Sequence, residues 1–518
     1  MKKLILILAI VVSTCWSFAQ QVEPARYEIP RTTKDQGCRF ESFGPQGGIL
    51  VYETDKTDKD KNRLWSFSCV DTCLFEIRND LIPLPDKMDI TATASDDGFA
   101  VFLFTNDKSK KSDTLDFLTV TFDRNERTYQ SFSAKLPEKS VILSAEVVDG
   151  VMMMAVNSKS GNGNLYFYDL KTHSYRIATP SSSRNFIIFQ TEPMPNQHCF
   201  VMALKEFENK FFVSTAFLVY SSSGALLKTY RFDNIPNASL GRMAFQMDDN
   251  QHLTVIGTLE RERSKKIDVE GIVEDFNRIS IGVVWMQFAS GQAQPKFYMF
   301  KDMPNIEMAL TSVDRVRVRE ARLKMSKNKK QSQGEIAFQF LTPRLTPFGD
   351  LWVFSAEAFE PVYHTETRMD YGYGYRGMYP YSYTIFDGYD FISDVLMAFD
   401  KDGNLKWQTS ARFSNELTYD LTPHACEASC FDELVVVSSS YNKLRYVSFD
   451  PSGNPISTLQ TEKIDPKLGA DELRDEYFAE MKLWYGNRFL IFGSQIIRNS
   501  IQANPQRSVF FLQKVQFE

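Results

Sequence analysis

The chain has few of the side chains that usually build an active site. Its 518 residues include only five histidines, His173, His198, His252, His364 and His424, and no two stand at an HxH or HxxxH spacing that would seed a metal site. Neither a GxSxG nucleophile elbow nor a Walker phosphate loop occurs. Cysteine is sparse as well. Six follow the first twenty residues, Cys38, Cys69, Cys73, Cys199, Cys426 and Cys430, and none forms the tight CxxC of a zinc knuckle. No metal or cofactor is called for. Beyond the N-terminus no apolar stretch approaches the ~20 residues of a membrane helix. An excess of positive charge is also missing: the formal charge is −6, or −8 once Lys2 and Lys3 are removed with a leader, which argues against a general nucleic-acid binder.

What is present begins with a targeting segment. Lys2 and Lys3 form a basic n-region, residues 4–12 an apolar h-region, and Ser17, Phe18 and Ala19 a small-x-small site, so a signal peptide over 1–19 with cleavage before Gln20 is expected. Lipidation at Cys15 is the minor alternative, since Thr14 stands where a lipoprotein signal usually has Gly, Ala or Ser. The leader's Phe18-Ala19-Gln20 ending resembles that of exported Bacteroidota proteins. The resemblance implies the periplasm or outer surface of a Gram-negative cell.

The remainder, 20–518, reads as all-β. Aromatic content is high, with 42 Phe and 22 Tyr, and apolar residues fall in short alternating runs. One unit recurs: an apolar strand, a turn of Asp, Gly or Asn, then a second apolar strand. Clear turns lie at Asp96 to Gly98, Asp149 to Gly150 and Gly486 to Asn487, with weaker ones near Gln46, Asn196, Asp249, Gly349 and Asp432. A second hairpin follows most of these, its leading strand ending in an aromatic residue plus Asp, as at Phe122-Asp123, Tyr168-Asp169, Phe399-Asp400 and Phe449-Asp450. Gly224, Gly291, Gly403 and Gly453 supply positive φ in the turns. Two hairpins per ~50 residues fit a four-stranded blade. The expected fold is a single closed β-propeller of about eight blades, with seven as the alternative. The last unit has only three strands, so a strand around Tyr27 is expected to complete it.

Two insertions interrupt the repeat. Over about 303–333 a basic stretch carries Arg315, Arg317 and Arg319, which on a strand share one face. It reads either as a solvated strand or as an anion or acidic-glycan contact. Over about 360–391 a Tyr/Gly-rich loop carries Tyr371, Tyr373, Tyr375, Tyr379, Tyr381 and Tyr383. Tyrosine brings large amphipathic area with few torsions and glycine lets a loop conform, so the segment suits partner binding, or serves as an ordered plug on the propeller's own face. Among the cysteines, Cys69 and Cys73 flank a turn and are expected to form a disulfide, and Cys426 and Cys430 share that spacing.

The segment from Leu396 to Trp407, a strand ending in Asp that turns through Gly and ends on Trp, resembles the repeat of pyrroloquinoline-quinone-type propellers. The resemblance implies blade architecture, and neither quinone binding nor dehydrogenase chemistry is carried over with it. Two function classes follow. One is a non-catalytic, monomeric binding or scaffold module of the cell envelope, recognising a protein or glycan through its loops. The other is a glycoside hydrolase or lyase with carboxylates around the axial pocket.

Overall fold

The computed structural model describes residues 26–31, 37–106, 114–137, 140–158, 162–208, 211–235, 238–261, 279–288, 294–303, 306–310, 336–341, 343–371, 378–413, 416–419, 421–440, 443–464, 470–501 and 506–517. Among these residues there is no α-helix, only short 3-10 turns between strands. The strands form eight antiparallel sheets, none of which closes on itself. In chain order they span 38–84, 89–137, 140–178, 185–233, 238–299, 339–418, 425–463 and 471–516. Seven are four-stranded and the sixth has six strands, because Arg344–Phe348 and Glu416–Thr418 pair beside its main path.

Burial follows the order of strands within a sheet. Phe99–Thr105, the second strand of its sheet, is buried at every position, because both faces are covered. The fourth strand Glu76–Leu84 is mostly exposed.

Face-to-face packing of consecutive sheets supplies the core. At the first seam Trp65 and Phe67 meet Phe104 and Phe102, with ring centroids 4.9 and 5.3 Å apart. Equivalent buried clusters occupy every seam from the first sheet to the eighth. A further one joins Trp484, Leu490 and Phe492 of the eighth sheet to Phe40 and Leu50 of the first. Each such side chain removed from water contributes roughly 1.5–3 kcal/mol, so the seams carry most of the hydrophobic stabilisation. Four-stranded meanders stacked in sequence order in this way form a β-propeller fold.

The eighth sheet draws its fourth strand from the other end of the chain. Arg26–Arg31 pairs antiparallel with Gln506–Gln516, as the unpaired N-terminal strand predicts. Arg26, buried in this strand, donates to Gln495 Oε1 (2.8 Å), Gln513 Oε1 (3.3 Å) and Glu28 (2.7 Å), and stands 4.4 Å from the Phe511 ring centroid.

The recurring aromatic-Asp motif has a local cause. Asp123, Asp169, Asp400 and Asp450 each accept two backbone N–H groups of the following turn on Oδ1, at 2.8–3.0 Å, closing the second hairpin. The turn glycines have a second duty. Gly224, Gly403 and Gly453 sit at φ +81°, +78° and +78°, and a Cβ there would lie within 2.8, 2.2 and 2.4 Å of Phe167, Trp285 and Trp407 in the preceding sheet. Gly291 lies outside the described residues.

Candidate functional sites

First strands of several sheets carry polar side chains that reach from one sheet to the next. Glu41 accepts from Thr93 (2.6 Å) and Ser95 (2.5 Å) of the second sheet. Ser144 meets Thr191 at 2.6 Å, Gln190 donates to Met243 O at 2.6 Å, and Lys482 donates to Phe40 O at 3.3 Å. Two carboxylates stand apart from this lacing. Burial, with Glu192 and Glu41 nearby, pushes Glu146 up to about 8, and burial pushes Glu192 up to about 7. Burial also lowers Lys482, against the pull of Glu41 and Glu480. Glu41, in the first sheet, thus acts on side chains of the third and eighth sheets alike.

A second charged group is buried between the sixth and seventh sheets. Arg344 pairs with Glu427 (2.9 Å), Glu357 (3.2 Å) and Asp394 (3.3 Å), all three carboxylates being buried. Burial raises Asp394 and Glu357, whereas Glu427, also opposed by burial, is held low by Arg344, Ser355 and Thr346. His424, whose backbone N–H donates to Glu357 (3.0 Å), is kept neutral by burial, which lowers its ring to about 4.

The first-hairpin turns of sheets one to four border an open groove of about 770 Å³, within the ~300–1,000 Å³ typical of ligand sites. Phe43, Asp96, Asp97, Arg124, Lys171 and His198 contribute to its walls. His198 Nδ1 is 2.8 Å from Asp149, and Asp96 is spent on the N–H groups of Gly98, Phe99 and Gly150.

The tyrosine-rich insertion forms an extended hairpin. Leu351–Tyr371 and Met378–Phe399 stay paired from Trp352↔Phe399 out to Tyr371↔Met378. From Val362 to Tyr371 the first strand pairs with no third strand among the described residues. Ten residues at ~3.3 Å rise reach ~33 Å beyond the sheet body. Period-two alternation puts Tyr381 and Tyr383 on one face with Glu366 and Arg368. The two rings stack at 6.0 Å, Tyr383 donates to Glu366 (2.5 Å), and Arg368 lies 5.3 Å from the Tyr383 ring. Tyr363 and Tyr381 are 55% and 63% exposed. The loop expected here is therefore corrected to a two-stranded arm, because alternating Tyr, Thr and Ser suit a pleated ribbon. Tyr371 and Tyr379 lie on its backbone ladder, and Tyr373 and Tyr375 fall outside the described residues. Arg315, Arg317 and Arg319 also lie outside them.

The expected disulfides are absent from the structure. Cys69, Cys73, Cys426 and Cys430 are free thiols. Cys426 and Cys430 share the single strand Ala425–Cys430, where four residues of extended chain span ~13 Å, well beyond disulfide reach. Cys69 instead contacts the Tyr129 hydroxyl at 3.7 Å, and Cys73 is exposed in the turn. The glutamates on the first strands of the sheets were not singled out from sequence. A usable signal exists: Glu41, Glu146, Glu192, Glu427 and Glu480 each stand a few residues ahead of a first-hairpin turn.

No family model and no curated protein sequence matches the chain. Similar solved structures include the β-propeller domain of the Trilobed protease from Pyrococcus furiosus, at 8% identity and TM-score 0.34, covering 83% of this chain and 100% of that one. The Dos1 propeller is similar at 10% identity and TM-score 0.40, covering 82% and 92%. Prolyl oligopeptidase B from Galerina marginata is similar at 8% identity and TM-score 0.38, with 90% of this chain covering 56% of that one.

Proposed function

We propose that the eight sheets are the blades of one closed propeller, exported to the cell envelope, and that it acts as a binding module for a protein or glycan. The observation that carries this reading is the arm: a paired ribbon standing off the sixth sheet with Tyr363 and Tyr381 more than half exposed. Exposed tyrosines on a stiff ribbon provide contact area at small entropic cost. The test is capture from envelope extract by the intact chain, by a chain whose hairpin is shortened to join Val362 to Gly388, and by Tyr363→Ser/Tyr381→Ser. A specific partner retained by the intact chain and lost by both variants supports the reading. An unchanged set of captured partners removes it.

A second reading rests on Glu146 and Glu192. A carboxyl held neutral near pH 7 is what a general acid for glycosidic-bond cleavage requires, and neighbouring carboxylates are the usual companions. Release of reducing ends from envelope polysaccharides by the intact chain, abolished in Glu146→Gln, would favour that alternative over the binding module.

A further inference from the structure

Behind the groove, at the seam of the first and second sheets, lies a smaller cavity of about 300 Å³. It shares the Phe43 and Arg124 wall with the groove. Three arginines line it, Arg78 from the outer strand of the first sheet and Arg124 and Arg127 from the last turn of the second, and no carboxylate does. Its remaining walls are largely apolar, including Val70, Ile77 and Phe122.

The guanidiniums are placed by the fold. Arg124 donates to Asp96 O (2.5 Å) and to Gln46, and its Cζ lies 4.5 Å from the Phe43 ring centroid. Arg78 donates to Arg127 O (2.8 Å) and to Asp80 Oδ1 (2.9 Å), whose carboxylate also pairs with its Nε at 2.6 Å. Asp80 thus offsets Arg78, and Asp97 and Asp96 act on Arg124 from the groove side, while the backbone carbonyls that hold Arg78 and Arg124 in place carry no charge and no carboxylate lines the cavity itself. A positively charged cavity with apolar walls has a definite ligand chemistry: an anionic head on an apolar body, since guanidinium forks match carboxylate and phosphoryl oxygens.

We infer that this cavity is a binding site for an organic anion, a carboxylate or phosphate ester attached to an apolar group, with the adjoining groove holding the remainder of the ligand. Either chemistry fits three guanidiniums, and the probes separate them. Benzoate, phenyl phosphate and neutral benzyl alcohol are titrated into the full chain at low and moderate salt, with calorimetry as the readout. Saturable binding of benzoate or phenyl phosphate, at least about tenfold tighter than benzyl alcohol and weakened by salt, is expected. The tighter of the two anions names the head group. Arg127 adopts φ +55°, so Arg127→Asn keeps a side chain tolerant of that conformation while removing the charge. Arg127→Asn and Arg78→Gln are each expected to weaken the anion about tenfold or more with an unchanged unfolding midpoint, and Arg127→Lys to recover part of the loss. Equal affinity for benzyl alcohol, no saturable binding of either anion, or variants within twofold of the parent would overturn the assignment.

Discussion

Ile29, in the first strand of the chain, stands directly opposite Phe510 in the last. Neither end forms a complete sheet alone, and the pair places Arg26 and Glu28 among side chains of the eighth sheet. Arg507 extends the lock, bonding Glu28 at 3.1 Å and Asp471 at 2.9 Å. The N-terminal strand is therefore locked into the last sheet through a buried polar network as well as through its ladder.

Arg26→Ala leaves Gln495 and Gln513 without their shared donor in a buried setting. Loss of such a charged partner costs about 3 kcal/mol. A lower urea midpoint is expected, and deletion of residues 26–31 is expected to broaden the transition as well; unchanged curves would show the strand to be dispensable.

Gly403→Ala combines strain at positive φ with a Cβ aimed at the Trp285 ring. Backbone strain of ~1 kcal/mol plus overpacking of ~1–3 kcal/mol predicts a substantial fall in thermal midpoint. Gly349→Ala is the control: its φ is +57° but nothing lies within 4 Å, so only the backbone penalty should appear.

Arg344→Met strands three buried carboxyls. Removing the cation they share is expected to cost about 3–5 kcal/mol at pH 7. Because Asp394 and Glu357 then take up protons more readily, the deficit should shrink as pH falls toward 4, which denaturation at several pH values would reveal.

Glu146 gives the pH dependence a sign. Its carboxyl is raised from an ordinary 4.5 to about 8, so the folded chain holds a proton that the unfolded chain releases between those values. Stability from this group is fully present below pH ~4.5 and is lost as pH rises through 8. Glu146→Gln should match the parent at pH 4 and exceed it at pH 9, by on the order of 5 kcal/mol; a constant difference across that range would contradict the shift.

The thiols offer a simpler check. Cys73 is exposed, while Cys38, Cys199, Cys426 and Cys430 are buried. A thiol reagent should modify Cys73 quickly in the native protein and the four buried residues only on unfolding, with mass spectrometry locating the adducts. Isolation of a Cys69–Cys73 bridge would contradict the free pair.

Much of this architecture was legible in the sequence, because its causes are local. Aromatic-Asp endings and glycine turns act within five or six residues, so Asp400 and Gly403 can be read as a hairpin from the chain alone, and the three-stranded last unit pointed to the strand around Tyr27. The sequence by itself also fixed the alternation that seats Trp65 and Phe67 in a seam. What only the tertiary structure decided is which distant side chains meet. Glu41, Glu146 and Lys482 come from three separate units, Arg344 finds Glu427 across a seam, and Arg78 joins Arg124 around a cavity, because stacking sets those distances and residue spacing does not. The tyrosine segment shows the same division: its composition suggested a contact element, but only strand pairing made it a projecting ribbon with two of its rings on one face.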